Sequence, residues 1–329
     1  MLDAVDPAEI PRRLIHVLGP RWEMTTGGGW LEISHRDRST PFCPPRRSMA
    51  WADLSDALTN AFAGQGVLHG APLPLRWGRD TELTISAIQA LDPILKDGRV
   101  VGHRSGFIPQ PVVRLTGKRD AQGALLDGYL TSFVNASRVE SIHGMTDYID
   151  AFDQWVTVLS RLGFHARHIR FYGRLETWQR GQVRGITLRF AHAEIPLGDV
   201  VLLWNVDHPQ RLVIDVGTSL ERLAWARTRR PWSELIFDRW RHAAPVSTLD
   251  SLRTATLLLG HGIAPSARGP GNITRRILSE LPNSCPSIDE LGTFIRIWHK
   301  FWNSFSPLQL SWPTILIGLE KEFRHRRPL

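Results

Sequence analysis

Four short segments of the chain combine arginine, aspartate or tryptophan with glycine or proline, residue types that suit the binding of charged small molecules. Arginine presents a planar fork that makes paired hydrogen bonds to a phosphate, and its flat face stacks on an aromatic base. Taken separately, each segment is equally consistent with an ordinary surface turn or a structural salt bridge. The four segments are residues 75–88, 109–115, 213–223 and 253–276.

In this order the four segments resemble the signature motifs of archaeal-type alanyl-tRNA synthetases, which are class II enzymes. Residues 75–88 are similar to an Arg-Trp-Arg-Asp turn followed by a Leu-Thr-Ile-Ala-Ser-Ile run, and 109–115 to the opening of the second signature motif. Residues 213–223 resemble the third motif, and 253–276 resemble the helical tRNA-recognition region. The resemblance spans roughly residues 50 to 329. It implies a specialised or divergent aminoacylation core that lacks the editing domain.

The resemblance implies that the chain binds a small amino acid, most simply alanine, together with ATP and Mg²⁺. In amino-acid activation a carboxylate meets the α-phosphate, so two anions must be held in line while charge develops on phosphorus. By resemblance Arg114 and Arg222 are the catalytic residues that hold the nucleotide, and Phe133 also lines its site. A strand-end arginine in a surface salt bridge is the alternative interpretation of Arg114.

A pocket for a small amino acid needs a carboxylate for the ammonium group and a bulky wall that limits the side chain. By resemblance Asp215 supplies the carboxylate, Trp178 supplies the wall and Gly217 forms the floor. Leu203 is the fourth predicted pocket residue. For Trp178 a place in the hydrophobic core is the alternative, since the chain contains 13 tryptophans.

The helical region implies a nucleic-acid surface at Arg268, Arg275 and Arg276, with a solvated basic helix face as the alternative. Ala267 stands where the family has an asparagine that reads the acceptor stem of tRNA. We therefore expect the acyl acceptor to be tRNA or a substitute such as a carrier protein or a small metabolite.

The chain departs from the family at several positions around the expected triphosphate. Gly128, Tyr129 and Val134 replace the usual arginine, histidine and glutamate of the second motif, and Arg189 replaces a second glutamate. Ser219 replaces a glycine of the third motif. Two interpretations follow: an activating enzyme in a specialised, biosynthetic role, or a non-catalytic paralogue that binds amino acid or tRNA for regulation.

A sheet is needed to hold these segments, and the hydrophobic patterns predict one. Successive strands with few helices between them favour an antiparallel sheet, and hence an α+β class II synthetase-like fold with flanking helices and a C-terminal helical domain. The expected domains are an N-terminal extension of unknown role at 1–49, a catalytic domain at 50–230 and a helical domain at 231–329. Strands are predicted at 111–115, 129–134, 169–172, 185–191, 200–205 and 211–215, and helices at 51–62, 146–163 (with Thr146 as N-cap) and from a Ser287–Glu290 capping box onward.

Composition limits the remaining possibilities. The 329 residues carry a formal charge of +8, from 40 Lys and Arg against 32 Asp and Glu, which favours a polyanionic partner. Cys43 and Cys285 are too few for a disulfide framework or a paired-cysteine zinc motif, which fits a reducing cytoplasm, and no metal site is predicted in the protein. Because the chain lacks an apolar run of about 18 residues, we expect a cytoplasmic protein without a membrane partner.

Overall fold

The computed structural model describes residues 6–45, 47–77, 81–99, 106–121, 125–281 and 288–326, and the chain forms two compact units. The first unit comprises Met1–Ala71, Ala87–Pro109 and Asn135–Arg229. The second comprises Pro72–Ser86, Gln110–Val134 and Arg230–Leu329. The predicted domain boundaries at 49 and 230 stay predictions.

Within the described residues nine strands form one sheet, in the order β1-β2-β5-β7-β8-β9-β4-β3, with β6 paired to β7. The pairs β1–β2, β2–β5, β5–β7, β6–β7, β7–β8, β8–β9 and β9–β4 are all antiparallel. The α+β class, with a large antiparallel sheet flanked by helices, is therefore confirmed. The strands are β1 Trp22–Gly27, β2 Trp30–His35, β3 Gly106–Val113, β4 Ser132–Ile142, β5 Ile169–Arg174, β6 Trp178–Arg180, β7 Val183–His192, β8 Ile195–Asn205 and β9 His208–Ser219.

Ten α-helices are present in the described residues, and five of them follow residue 230, which confirms the C-terminal helical region. The long helix predicted at 146–163 forms, but Thr146 is not its N-cap, because the helix begins one residue earlier and Gly144 precedes it. Ser287 lies outside the described residues. The helices are α1 Ile10–Leu18, α2 Trp51–Ala63, α3 Asp92–Asp97, α4 Met145–Arg161, α5 Leu220–Thr228, α6 Trp232–Phe237, α7 Val246–Gly260, α8 Pro270–Ser279, α9 Ile288–Asn303 and α10 Trp312–Arg326.

In the first unit, helix α4 packs its apolar stripe on one face of the sheet. Phe152 contacts Phe171 of β5 with ring centroids 5.0 Å apart, and Trp155 contacts Phe190 of β7 at 5.4 Å. Because side chains alternate along a strand, the residues next to these core positions point to the opposite face. That opposite face of β7, β8 and β9 carries the predicted pocket residues.

Residues before 50, for which the sequence indicated no role, contribute α1 and the hairpin β1–β2 to the first unit. The hairpin continues the sheet beyond β5 through pairs such as Ile33 with Phe171. Leu31 and Ile33 are completely buried, so this segment is part of the hydrophobic core of the unit.

His192 at the end of β7 is a buried, uncharged histidine in an aromatic cluster. Its ring contacts Phe42 at 4.5 Å and Phe164 at 4.9 Å, with His168 5.6 Å away. The Arg229 guanidinium lies 3.4 Å from His192 Nδ1, and since a guanidinium only donates, Nδ1 accepts. Burial lowers the pKa of His192 to about 3, and the charges of Arg229 and His168 act in the same direction.

We expect this histidine to make the protein less stable in acid. The folded-state pKa lies below the unfolded value of 6.5, so between pH 6.5 and about 3 the unfolded chain binds more protons and stability falls with pH. At about pH 5 the loss from this group alone is about 2 kcal/mol. His261, whose pKa burial lowers to about 4, adds to the loss with the same sign.

The measurement is urea unfolding of the wild type and His192→Asn at about pH 7.5 and about pH 5. Asparagine keeps an acceptor near the position of Nδ1 but does not titrate. The wild type is expected to lose more free energy of unfolding between the two pH values than the variant, and equal losses would contradict the assignment.

Candidate functional site

The strand register of the first unit places the predicted residue Asp215 in one row with two residues that were not predicted. Thr187 of β7 pairs with Val201 of β8, and Val201 pairs with Asp215 of β9. Because neighbouring strands lie about 4.8 Å apart, Thr187 and Asp215 are about 10 Å apart at their Cα atoms, with Val201 between them. All three residues are half-buried. The row therefore presents a carboxylate at one end and an apolar side chain in the middle on one face of the sheet.

A small polar hollow lies beside this row, above Gly217. A Cβ atom on Gly217 would lie 3.2 Å from Asp215 Oδ1 and 3.2 Å from Ser137 Oγ, so both oxygens face the space that the missing side chain leaves. Ser137 lies on β4 directly opposite Gly217. Its hydroxyl is buried and makes no hydrogen bond with any residue that the structure describes. Two oxygens around one small space suit a hydrogen-bond donor with positive charge, such as an ammonium group.

Trp178 forms the other end of the row. Its Nε1 donates to Thr187 Oγ1 at 2.9 Å, which fixes the indole on the sheet face. A Cβ atom on Gly185 would lie 2.6 Å from Trp178 Cζ2 and 2.9 Å from Leu203 Cδ2, so a glycine is needed beneath the two side chains. Trp178 is half-buried and also lies beside the exposed Arg180, whose guanidinium is 5.6 Å from the ring centroid.

The structure thus brings Trp178, Leu203, Asp215 and Gly217 onto one sheet face of the first unit. Leu203 is buried beside Trp178, whereas Val201 occupies the position between Thr187 and Asp215. Sequence reasoning missed Ser137, Thr187 and Val201. Alternation along each strand is the signal that was available, but the partners of a strand become known only with the register.

Arg189 and its neighbours occupy the next row of the same face. Arg189 pairs with Asp199, which in turn pairs with Gly217, and Arg189 Nε lies 3.8 Å from Asp199 Oδ1. Both side chains are about half exposed or more, at 65% and 49%. The guanidinium of Arg189 therefore occupies the position at which the family has a carboxylate. Asp199, the carboxylate of β8, pairs with this guanidinium.

Arg222 lies in the first turn of α5, immediately after β9. Ser219 caps this helix, because its Oγ accepts a hydrogen bond from the Arg222 backbone N–H at 3.1 Å. The serine that replaces a family glycine therefore has a structural role. Asn135 holds the end of β9, since its amide donates to the Thr218 carbonyl at 3.0 Å. Arg222 itself is half-buried.

The second unit holds the predicted nucleotide residues Arg114 and Phe133. The Arg114 guanidinium lies 5.0 Å from the centroid of the Phe133 ring, and its Nε donates to the Ile85 carbonyl at 2.5 Å. The Arg114 backbone N–H donates to the Thr131 carbonyl at 2.7 Å. The first two sequence segments therefore meet at Arg114, although residues 78–80 of the first lie outside the described residues.

Two of the positions at which the chain departs from the family motif have a local explanation in the second unit. Gly128 adopts a φ of 85°, in the left-handed region where a side chain such as arginine is strained. Val134 is completely buried, and a glutamate at that position would carry a charge into the core. The replacements are therefore consistent with the local backbone and packing.

Helix α8 and the turn before it carry the three arginines predicted to bind nucleic acid. Arg268, Arg275 and Arg276 are all exposed, and none forms an ion pair with a residue in the described ranges. They present positive charge to solvent, as a phosphate-binding surface and a merely solvated face both do.

The described residues contain neither a metal-binding cluster nor a membrane-spanning helix. No three His, Cys, Asp or Glu side chains cluster in a way that could hold a metal ion there. None of the helices described is long and apolar enough to cross a bilayer.

Fold and site together define an α+β protein whose antiparallel sheet carries a small polar pocket. Against known proteins, no family model matches the chain. The chain is similar to the alanine–tRNA ligase of Aeropyrum pernix, with 23% identity over an alignment of 364 residues that covers 83% of this chain. It spans 39% of the length of that curated relative. The similarity agrees with the motif resemblance and supports a synthetase-like relationship.

Proposed function

We propose that this chain activates a small amino acid, in the first place alanine, with ATP and passes it to tRNA or to a substitute acceptor in a specialised biosynthetic role. The observation that carries the proposal is the polar hollow above Gly217, where Asp215 Oδ1 and Ser137 Oγ converge. The similarity to an alanine–tRNA ligase supports it.

The pocket selects by charge at one end and by size at the other. In the proposed complex Asp215 and Ser137 accept hydrogen bonds from the ammonium group, and the side chain of the amino acid rests on Val201. Trp178, fixed by Thr187, limits the length of that side chain. One methylene in such a pocket changes discrimination by about 10- to 200-fold.

Activation joins the amino-acid carboxylate to ATP. A carboxylate oxygen attacks the α-phosphorus, the bond from that phosphorus to the bridging oxygen of pyrophosphate breaks, and pyrophosphate leaves with the electron pair. In the proposal Arg114, oriented by Ile85 and Phe133, binds the phosphates and offsets the developing charge, and Arg222 is the other arginine proposed for this role. In the proposal Mg²⁺ accompanies the triphosphate.

Transfer then needs a nucleophile from an acceptor. An acceptor hydroxyl, amine or thiol attacks the acyl carbon of the adenylate, loses its proton, and AMP leaves. The net charge of +8 and the exposed Arg268, Arg275 and Arg276 favour an anionic acceptor such as tRNA. Carrier proteins and small metabolites are the other acceptors considered.

One observation favours a second candidate function, a non-catalytic paralogue that binds amino acid or tRNA for regulation. The position expected to hold a carboxylate near the triphosphate holds Arg189, whose partner is Asp199. Such a protein would keep the amino-acid pocket and lose the chemistry.

The experiment that tests the proposal is amino-acid-dependent exchange of labelled pyrophosphate into ATP, run with each of the twenty amino acids. Exchange with alanine, glycine or serine supports activation and fixes the substrate. Alanine binding in calorimetry without exchange favours the regulatory paralogue. A folded protein that neither exchanges pyrophosphate nor binds any amino acid rules out activation and leaves only the tRNA-binding form of the regulatory paralogue.

Trp178→Ala is expected to relax the size limit of the pocket. Removing the indole opens the row beyond Thr187, so exchange with valine or leucine should rise at least about 10-fold relative to exchange with alanine. Trp30→Ala is the matched control, because Trp30 lies on β2 of the same unit and is 42% exposed. An unchanged amino-acid preference in Trp178→Ala would show that the indole is not the wall.

A further inference from the structure

A positive charge is enclosed in the interior of the second unit, on helix α7. Arg253 is completely buried, and its guanidinium carbon lies 4.3 Å from the ring of Trp302, 4.5 Å from Trp298 and 5.2 Å from Phe301. Trp302 Nε1 also donates to the Arg253 carbonyl at 3.1 Å. The aromatic face of α9 therefore forms a cage around this cation and favours its charged form.

The enclosed guanidinium donates hydrogen bonds to Ser132, the first residue of strand β4. Arg253 Nη1 donates to the Ser132 carbonyl and also to Ser132 Oγ, the latter at 3.2 Å. The Ser132 hydroxyl bonds in addition to Thr254 Oγ1 at 2.8 Å. Asp250, one turn earlier on α7, accepts from the Thr131 backbone N–H at 3.2 Å with both carboxylate oxygens.

Thr131, in the turn before β4, and Ser132, at the start of β4, also support Arg114. The Thr131 carbonyl accepts the Arg114 backbone N–H, and the residue after Ser132 is Phe133, whose ring lies beneath the Arg114 guanidinium. A displacement of 131–133 would therefore move the backbone and the side-chain support of Arg114 together.

Burying a charge has a large desolvation cost, and a well-packed apolar side chain usually stabilises a core at least as well. Arg253 and Asp250 are therefore poorly explained by stability alone. Their polar atoms bond to the backbone of Thr131 and Ser132, the two residues immediately before Phe133.

We infer that Arg253, supported by Asp250 and the aromatic face of α9, is a positioning residue that fixes Arg114 for nucleotide binding. The inference rests on the proposed function for the role of Arg114. It deepens that function, because it makes the helical region a requirement for holding ATP and not only for contacting an acceptor.

The main test is Arg253→Lys in the full-length protein. Lysine keeps a cation in the aromatic cage but lacks the planar fork and is too short to hold Ser132 in the same way. Since a displacement of about 1 Å in a positioning group costs on the order of 100-fold, we expect ATP affinity in calorimetry to fall at least about 10-fold. Alanine affinity, which depends on the first unit, is expected to stay within about twofold, a split that simple loss of the fold would not produce.

Two further variants keep the test informative if Arg253→Lys does not fold. Thr254→Val removes only the hydroxyl that partners Ser132, and is expected to weaken ATP binding about threefold, in the range of one hydrogen bond. Arg239→Lys is the matched control, because Arg239 is exposed in the same unit and lies 5.1 Å from the ring of Trp240. The control is expected to bind ATP as the wild type does.

Hydrogen exchange measured on peptides covering 110–116 and 129–134 separates this inference from the proposed function. Faster exchange at these peptides in Arg253→Lys, together with weaker ATP binding, supports the inference. Unchanged exchange overturns it, and so does faster exchange with unchanged ATP affinity. A wild type that binds no ATP overturns the proposed function, and in that case the exchange result alone decides whether Arg253 holds Arg114.

Discussion

Asp215→Asn is expected to abolish most amino-acid-dependent pyrophosphate exchange, by about 100-fold or more, while the protein remains folded. The carboxylate oxygen Oδ1 faces the hollow above Gly217, where the ammonium group is proposed to bind. Asparagine keeps the shape of the side chain and one acceptor but removes the negative charge. Removing one partner of a hydrogen-bonded charge pair costs about 2–5 kcal/mol, and each 1.4 kcal/mol is about tenfold.

The effect should appear in the affinity for alanine as well as in the rate, since the lost contact is made with the bound amino acid. Asp207→Asn is the matched control, because Asp207 is an exposed residue of the turn between β8 and β9 in the same unit. Its exchange rate should match the wild type. Calorimetric affinity for alanine that is the same in Asp215→Asn and wild type would show that the ammonium group does not bind at Asp215.

Gly217→Ala is expected to reduce alanine binding by about 10-fold or more with little loss of stability. The new methyl group would lie 3.2 Å from both Asp215 Oδ1 and Ser137 Oγ, and so would fill the space that the two oxygens face. The contacts are tight but require only small shifts, and Gly217 does not have a left-handed backbone. The variant should therefore fold, because the two contacting atoms belong to side chains that can shift slightly, while the methyl group occupies the space proposed for the ammonium group.

Gly27→Ala provides the control, since Gly27 lies at the end of β1 with nothing within 4 Å of an added Cβ atom. Thermal unfolding and alanine calorimetry should be run on all three proteins. If Gly217→Ala unfolds at the wild-type temperature and binds alanine with wild-type affinity, the amino acid does not bind above Gly217. A variant with normal alanine binding but lower stability would show that Gly217 serves only the packing of the sheet.

Part of the candidate site was accessible from local sequence. Asp215 and Gly217 are two residues apart on a strand, and this spacing alone places both on one face. The strand predicted at 211–215 lies within β9, which continues four residues further to Ser219 before α5 begins. Ser137 and Val201 were not predictable, because they join the site only through the pairing of β9 with β4 and β8. Ser137 and its partner Gly217 are 80 residues apart in the sequence, and pairing between such distant strands depends on the whole sheet.

The strands at the edges of the sheet were also difficult to predict from local sequence. Strand β3 is buried at every position from Gly106 to Val113, so it has no alternation of apolar and polar residues to reveal its length. The hairpin β1–β2 is recognised as part of the sheet only from its pairs with β5. By contrast α2, α4 and α9 have apolar residues at steps of three and four, which local periodicity suffices to identify.

The sequence by itself determined the helices with an amphipathic stripe, the antiparallel character of the sheet and the residue types that could bind a zwitterion and phosphates. The helices and the binding residues follow from spacings within one segment, where a side chain's direction follows from the period of the backbone. The antiparallel character follows from the succession of strands with few helices between them. Only the tertiary structure decided which segments meet. It joined Ser137 to Asp215 above Gly217, and it enclosed Arg253 among the rings of α9 instead of leaving it on the surface. A buried charge is stable only where distant segments supply its partners. Those partners cannot be predicted from the segment that carries the charge.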